Sequence, residues 1–371
     1  MRSIKQIKNL KGKRVLLRVD FNLPIRDGKV EDDFRIKKAL PTIEFLKKKG
    51  AKIILITHLG KGGDSLDTVA KVLNKFIKVK FIPEIIGEDA TLAVGDMKNG
   101  DIVMLENLRN DEGEKSCNKI FAINLVKLAD IYVNESFSVD HRSDASIVLI
   151  PKILPAYSGL QLEEEVKNLS KVFSNTKHPF LFILGGAKFS TKMPLIKKYL
   201  KLADYVFIGG ALADDFLKAK GYEVGESLID DESYDIAKIL KNKKLLLPVD
   251  VLVNADGKLV NKNIGEVLPD DSIIDIGTET VKNLIELVKE SKLVLWNGPL
   301  GKYEERGDKA TKMILKALTE AKNQSIIGGG DTVELISEMH IEKKFSFVST
   351  GGGATLDFLV NGSLPGIKAL K

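Results

Sequence analysis

Short apolar runs alternate with stretches of helical spacing along the whole chain. In the first half, runs rich in β-branched residues and leucine at 14–19, 52–57, 79–82, 102–105 and 131–133 read as strands. Between them, apolar residues recur three and four apart at 34–49, closed by Gly50, and again at 68–77 and 115–128, which predicts helices. In the second half helices are predicted over 194–202, 214–220, 232–241, 280–289, 309–321 and 332–338. Strand–helix alternation on this scale predicts mainly parallel sheets covered on both faces. One exception is 249–261, where Ala255-Asp256-Gly257 reads as a hairpin turn between alternating strands.

Five apolar runs in the second half stop abruptly at glycine: 180–188 (FLFILGGAK), 205–212 (YVFIGGAL), 293–301 (LVLWNGPLG), 325–332 (SIIGGGDT) and 345–354 (FSFVSTGGGA). Each reads as a buried strand that ends in a turn. Together they are expected to line one edge of one sheet with open backbone N–H groups. Such an edge suits a phosphate chain, because glycine has no Cβ to block close approach.

A length of 371 residues suggests two domains, and the acidic, amphipathic stretch 159–175, bracketed by Pro151, Pro155 and Pro179, reads as the helix between them. The single cysteine, Cys117, excludes an intrachain disulfide framework and a cysteine-cluster metal site. No apolar run approaches the roughly 20 residues of a membrane span. The basic N-terminus lacks the apolar core of a secretory signal, so a cytoplasmic protein is expected. The net charge of +6 is spread among interspersed acidic residues, which argues against a nucleic-acid face.

Candidate chemistry gathers at strand ends. Arg18, Asp20 and Asn22 alternate at the tip of the first strand, so all three can point to one side of it. Arg35 opens a helix, and His58, Arg109 and the His141-Arg142 pair each follow a strand. Ligands of open α/β sheets bind outside the carboxyl ends of strands, and guanidinium matches carboxylate and phosphate in a two-pronged fashion. The first half therefore looks built for a small, highly anionic ligand. In the second half Lys188 precedes a helix that Ser190 or Thr191 is expected to cap, with Pro194 in its first turn. A lysine there can stabilise charge on a transferring phosphoryl group. Gly328, Gly329 and Gly330 lead into Asp331 and Thr332, which suits Mg²⁺ on the carboxylate and a phosphate on a capping hydroxyl. Glu304 is a candidate acceptor for ribose hydroxyls, and Trp296 is read as core. Neither the Walker A spacing nor the dinucleotide glycine fingerprint is present, which weighs against a nicotinamide-dependent dehydrogenase.

Taken in order, RVDFNLP (18–24), DDFRI (32–36), LPTI (40–43), THLGK (57–61), LENLR (105–109), the HR pair (141–142), LGGAKFSTK (184–192), LPVDV (247–251), WNGPLGKYE (296–304), IGGGDT (327–332), STGGGATLDFL (349–359) and LPGIKAL (364–370) resemble the phosphoglycerate kinase family over essentially the whole chain. The resemblance implies two Rossmann-like α/β domains with a cleft between them. These are a 3-phosphoglycerate domain (1–158 with the tail 356–371), the linking helix 159–175, and a nucleotide domain (176–355). It implies reversible phosphoryl transfer between 1,3-bisphosphoglycerate and MgADP, a glycolytic step accomplished by domain closure, and the stretches 159–175 and 349–353 are the candidate hinges.

By position, Asp20, Asn22, Arg35, His58, Lys61, Arg109 and Arg142 match the substrate contacts. Lys188, Lys192, Gly210, Gly277, Asn297, Pro299, Glu304, Gly329, Gly330, Asp331 and Thr332 match the nucleotide site. Arg35 and Lys188 are the implied catalytic pair, Asp331 the Mg²⁺ ligand, and a monomer is expected. The chain departs from the family at Lys61, where arginine is usual, in the stretch 134–142 (NESFSVDHR), and at Ala211 and Ala213-Asp214-Asp215. Asp140 is expected to add negative charge beside the anion. The last departure bears on purine contacts. An inactive nucleotide-binding protein is the alternative that the altered 134–142 loop raises.

Overall fold

The computed structural model describes residues 1–174, 176–230 and 236–370, so the ends of the stretches 159–175 and 356–371 and the start of the helix expected at 232–241 lie outside the described residues. The chain forms two compact units, Met1–Lys167 together with residues 361–370, and Asn168–Val360.

In the first unit six strands lie side by side and parallel, in the order Lys80–Phe81, Ile102–Met104, Lys52–Ile56, Arg14–Val19, Ile131–Glu135, Ala156–Ser158. The inner four strands are buried almost throughout, whereas the edge strand Lys80–Phe81 is not, and this is why the inner runs read as continuously apolar. Helix Phe34–Lys48 packs Ile36, Ile43 and Leu46 into this core and stops where Gly50 adopts φ +74°. Helix Asp67–Leu73 is shorter than its apolar spacing predicts. Asn74 turns the chain back by donating to Ala70 O and Val79 O and accepting from Val79 N.

The second unit places the five glycine-ended runs in one parallel sheet with Leu245–Leu246 at its margin: Tyr205–Ile208, Phe180–Leu184, Leu293–Asn297, Gln324–Gly328 and Phe347–Val348 follow in that order. Numbered along the chain the strands lie 3-2-1-4-5-6, the order of a doubly wound sheet, with its switch point between Phe180–Leu184 and Leu293–Asn297. Trp296 is wholly buried and its indole donates to Gly298 O at 2.7 Å. The expected hairpin is present as Asp250–Ala255 against Lys258–Asn263, with Asp256 and Gly257 at positive φ. A third antiparallel strand, Ser272–Ile276, joins it and was not evident in the sequence. Among the described residues no helix is long and apolar enough to cross a membrane.

Candidate functional site

In the first unit the strand Arg14–Val19 delivers Asp20 and Asn22 to the crevice beside Ile131–Glu135, where the sheet order reverses. The Asp20 carboxylate accepts from Arg35 Nη1, from Ser138 Oγ and from Asn22 N. Burial opposes its charge, but Arg35 and these donors hold it below the usual carboxylate range. Asn22 Oδ1 accepts from Gly60 N at 2.9 Å, tying the loop after His58 to the same cluster. Arg109 donates to Gly60 O, lies 4.0 Å from Asp144, and keeps a buried Nε with no partner among the described residues. Burial and the positive field of Arg142 lower the pKa of Arg109.

His58 is buried beside Arg18, with Nδ1 3.1 Å from Arg18 Nη2. Burial, followed by Arg18 and then Arg109 and Arg142, pushes its pKa down to about 2 against the opposing pull of Asp20. Asp20, Asn22, Arg35, His58, Arg109 and Arg142 therefore share one electrostatic neighbourhood. Lys61 is exposed on the same loop, its carbonyl held by Lys115.

Two expectations change, and one partner is new. Arg18 does not reach outward: it is fully buried and donates to Ser146 Oγ, Val19 O and His58. Asp140 does not lie exposed in its loop. It is fully buried, accepts from Asn134 Nδ2 at 2.7 Å, and burial raises its pKa to about 7. Ser138, within the departing stretch 134–142, is a direct partner of Asp20.

In the second unit the glycine edge is less open than expected. Gly185 N donates to Asn297 O, Gly186 N to Pro299 O, Gly209 N to Leu184 O and Gly210 N to Leu300 O. A Cβ on Gly185 would stand 1.9 Å from Pro299 O, so this glycine is required by the close approach of two loops at the switch point. Gly277, likewise, leaves room for the Asp250 carboxylate, which accepts from Glu279 N, Thr280 N and Thr280 Oγ1 at the start of helix Thr278–Glu290.

The helix after Lys188 begins at Phe189, earlier than expected. Lys188 is the cap residue, Thr191 bonds back to Lys188 O, and Pro194 lies inside the helix. Phe189 drives the early start by burying its ring 5.6 Å from that of Phe216. Lys188 itself is exposed. Lys192 is buried, donates to Gly185 O, and has its pKa lowered to about 8 by burial, opposed by Asp331.

Helix Gly330–Glu338 starts one residue after Gly329, so Thr332 lies in its first turn and does not cap it. Thr332 Oγ1 and Asn297 Nδ2 are buried with no hydrogen-bond partner among the described residues. The place of a Gly328 Cβ lies 3.1 Å from Asn297 Nδ2, so Asn297 flanks the glycine turn that feeds the helix. The first N–H groups of that helix have no intrahelical acceptor and carry its positive dipole end. Asp331 is exposed beside them, and Glu304 is exposed in the turn Tyr303–Glu305.

No group of three or more His, Cys, Asp or Glu capable of holding a metal occurs among the described residues. A lone exposed carboxylate fits Mg²⁺ that takes its other ligands from nucleotide phosphates and water.

A doubly wound unit with an arginine-rich crevice, and a second with lysines, glycine turns and partnerless buried donors, define a two-unit α/β protein equipped for anionic ligands. The chain belongs to the phosphoglycerate kinase family, whose model matches residues 4–362. It is 43% identical to a phosphoglycerate kinase of Wolbachia over 98% of this chain and 97% of that one. With the enzyme of Dictyoglomus turgidum it shares 40% identity over 98% and 96%. The structure of phosphoglycerate kinase from Pyrococcus horikoshii superposes with a TM-score of 0.91 at 30% identity, covering 100% of this chain and 98% of that one. The Coxiella burnetii structure gives 0.85 at 34%, covering 99% and 98%.

Proposed function

We propose that this chain is a working phosphoglycerate kinase, moving a phosphoryl group between 1,3-bisphosphoglycerate and ADP to give 3-phosphoglycerate and ATP. The family match over residues 4–362 supports it. The observation that carries it to the residues is the pair of buried donors without partners, Thr332 Oγ1 and Asn297 Nδ2, beside a glycine turn. A donor left unpaired in the protein is costly unless a ligand supplies the acceptor.

On this reading residues 1–158 with the tail hold the phosphoglycerate, residues 176–355 hold the nucleotide, and 159–175 links them. An acyl phosphate is already activated and a phosphate oxygen of ADP is already anionic. The reaction therefore needs positioning and charge stabilisation more than a general base. His58, held neutral, is assigned as a hydrogen-bond donor. Arg35 and Lys188 are assigned to the transferring group, and Lys192, Asn297 and Thr332 to nucleotide phosphates. Glu304 is assigned to the ribose. Asp331 would hold Mg²⁺, which neutralises phosphate charge when bound. The chain is read as a cytoplasmic monomer.

A coupled assay for 3-phosphoglycerate-dependent ATP consumption tests the activity, and nucleotide binding without turnover would replace it with a binding role. Thr332→Val should raise KM for ATP and ADP about tenfold, because a hydrogen bond to a charged group is lost. The same change should raise Tm, because an unpaired buried hydroxyl is removed. An unaltered KM in Thr332→Val would take the hydroxyl out of the site. Lys61→Arg should lower KM for 3-phosphoglycerate several-fold by restoring a forked contact. Titration calorimetry that gives the same affinity for both proteins would place Lys61 away from the substrate.

A further inference from the structure

Four side chains behind the arginine crevice form a buried chain in which the direction of every hydrogen bond is fixed. Glu114, from the helical turn Glu112–Lys115, is fully buried, and both its oxygens are taken by Ser146: Oε1 by the hydroxyl at 2.6 Å and Oε2 by the backbone N–H at 2.9 Å. The single hydroxyl proton of Ser146 is thus committed to the carboxylate, so Oγ faces Arg18 as an acceptor and receives Nε–H at 3.0 Å. Arg18 Nη2 then meets His58 Nδ1 at 3.1 Å. A guanidinium has no acceptor, so Nδ1 must accept and the ring proton must sit on Nε2. Nε2 makes no hydrogen bond within the described residues and is not among the buried partnerless atoms, so it is free to donate.

We propose that Glu114 and Ser146 are positioning residues that act through Arg18 to hold His58 as the neutral Nε2–H tautomer, so that its ring offers a donor to the anionic ligand of this unit. The proposal rests on the reading of this crevice as the phosphoglycerate site. A fully buried guanidinium needs an anion in its field, and Glu114 and Asp140 are the carboxylates that face it, with Tyr132 alongside. Arg18, Arg109 and Arg142 disfavour a charged ring at His58, and Asp20 favours it. Without the bond from Arg18, Nδ1 is free to carry the proton. Nε2 then becomes an acceptor facing an anion. Among the described residues Nδ1 has Arg18 as its one partner, so this bond sets the tautomer.

The test is ¹⁵N correlation spectroscopy of the histidine rings in the full-length protein, with His58 assigned by His58→Gln, alongside steady-state kinetics. The unsubstituted protein should show His58 as the Nε2–H tautomer alone. Ser146→Ala should populate the other tautomer and raise KM for 3-phosphoglycerate about fivefold, with kcat changed less than about twofold. Glu114→Gln keeps the shape and should move both readouts the same way by a smaller factor. It serves if Ser146→Ala does not fold. A pure Nε2–H signal and unchanged KM in a folded variant would overturn the proposal, as would lower thermal stability with both readouts unmoved. If the unsubstituted protein turns over no 3-phosphoglycerate, the functional reading fails and the tautomer measurement still decides the coupling.

Discussion

Arg35→Ala should lower kcat by about two to three orders of magnitude while KM for ADP and ATP stays near its original value. The size follows from removing one preorganised cation from a group that gains charge in the transition state. The structure adds a second effect. Arg35 is the cation paired with Asp20, which among the described residues otherwise keeps the donors Ser138 Oγ and Asn22 N. Its removal leaves an anion facing an anionic substrate, so KM for 3-phosphoglycerate should rise as well. Arg35→Ala with Asp20→Asn should recover part of that rise but none of kcat, since asparagine removes the repulsion without restoring the cation. Arg35→Lys should recover little turnover, because an ammonium cannot engage the Asp20 carboxylate and a phosphoryl oxygen with two separate prongs. Weakened ADP affinity with normal kcat in Arg35→Ala would remove Arg35 from the transferring group.

Burial decides which elements the sequence makes legible. Phe180–Leu184 and Leu293–Asn297 were legible because every residue is buried, which leaves an unbroken apolar run. Ser272–Ile276 was not, because Asp275 interrupts the run and the strand pairs antiparallel with a hairpin. Arginine identity alone could not separate Arg18 from Arg35: one is sealed behind Ser146 and the other is partly exposed on Asp20. The Ser138–Asp20 contact joins residues 118 apart, and only the parallel pairing of their strands brings them together. Glu135, which ends the strand Ile131–Glu135, and Asp140, in the loop after it, are charged residues of the altered stretch, and both turn inward. Glu135 accepts from Thr42 Oγ1 and from Gln161 N and Leu162 N at the start of helix Leu160–Ser174. Charge in a loop reports neither its direction nor its partner, and both come from tertiary packing.

The glycine turns divide along the same line, and two substitutions should separate them. Gly185→Ala places a methyl group 1.9 Å from Pro299 O and 2.8 Å from Gly298 O, both backbone atoms in the neighbouring loop. Neither can yield without breaking the Gly186 N to Pro299 O bond at the switch point. The cost should reach about 3 kcal/mol or more, which lowers Tm by about 10 °C for a unit of this size. Gly330→Ala meets nothing within 4 Å, lies in the first turn of helix Gly330–Glu338, and needs no left-handed backbone. Its stability should hold or rise by up to about 1 kcal/mol, as alanine favours a helix. Yet KM for ADP and ATP should increase, because the methyl occupies the space through which a phosphate reaches the N–H groups of that turn. Thermal unfolding and nucleotide kinetics on both proteins therefore give opposite patterns. A Gly185→Ala protein that melts like the original would show that the two loops separate easily. A Gly330→Ala protein with unaltered nucleotide KM would show that this glycine, like Gly185, answers to the fold and not to the ligand.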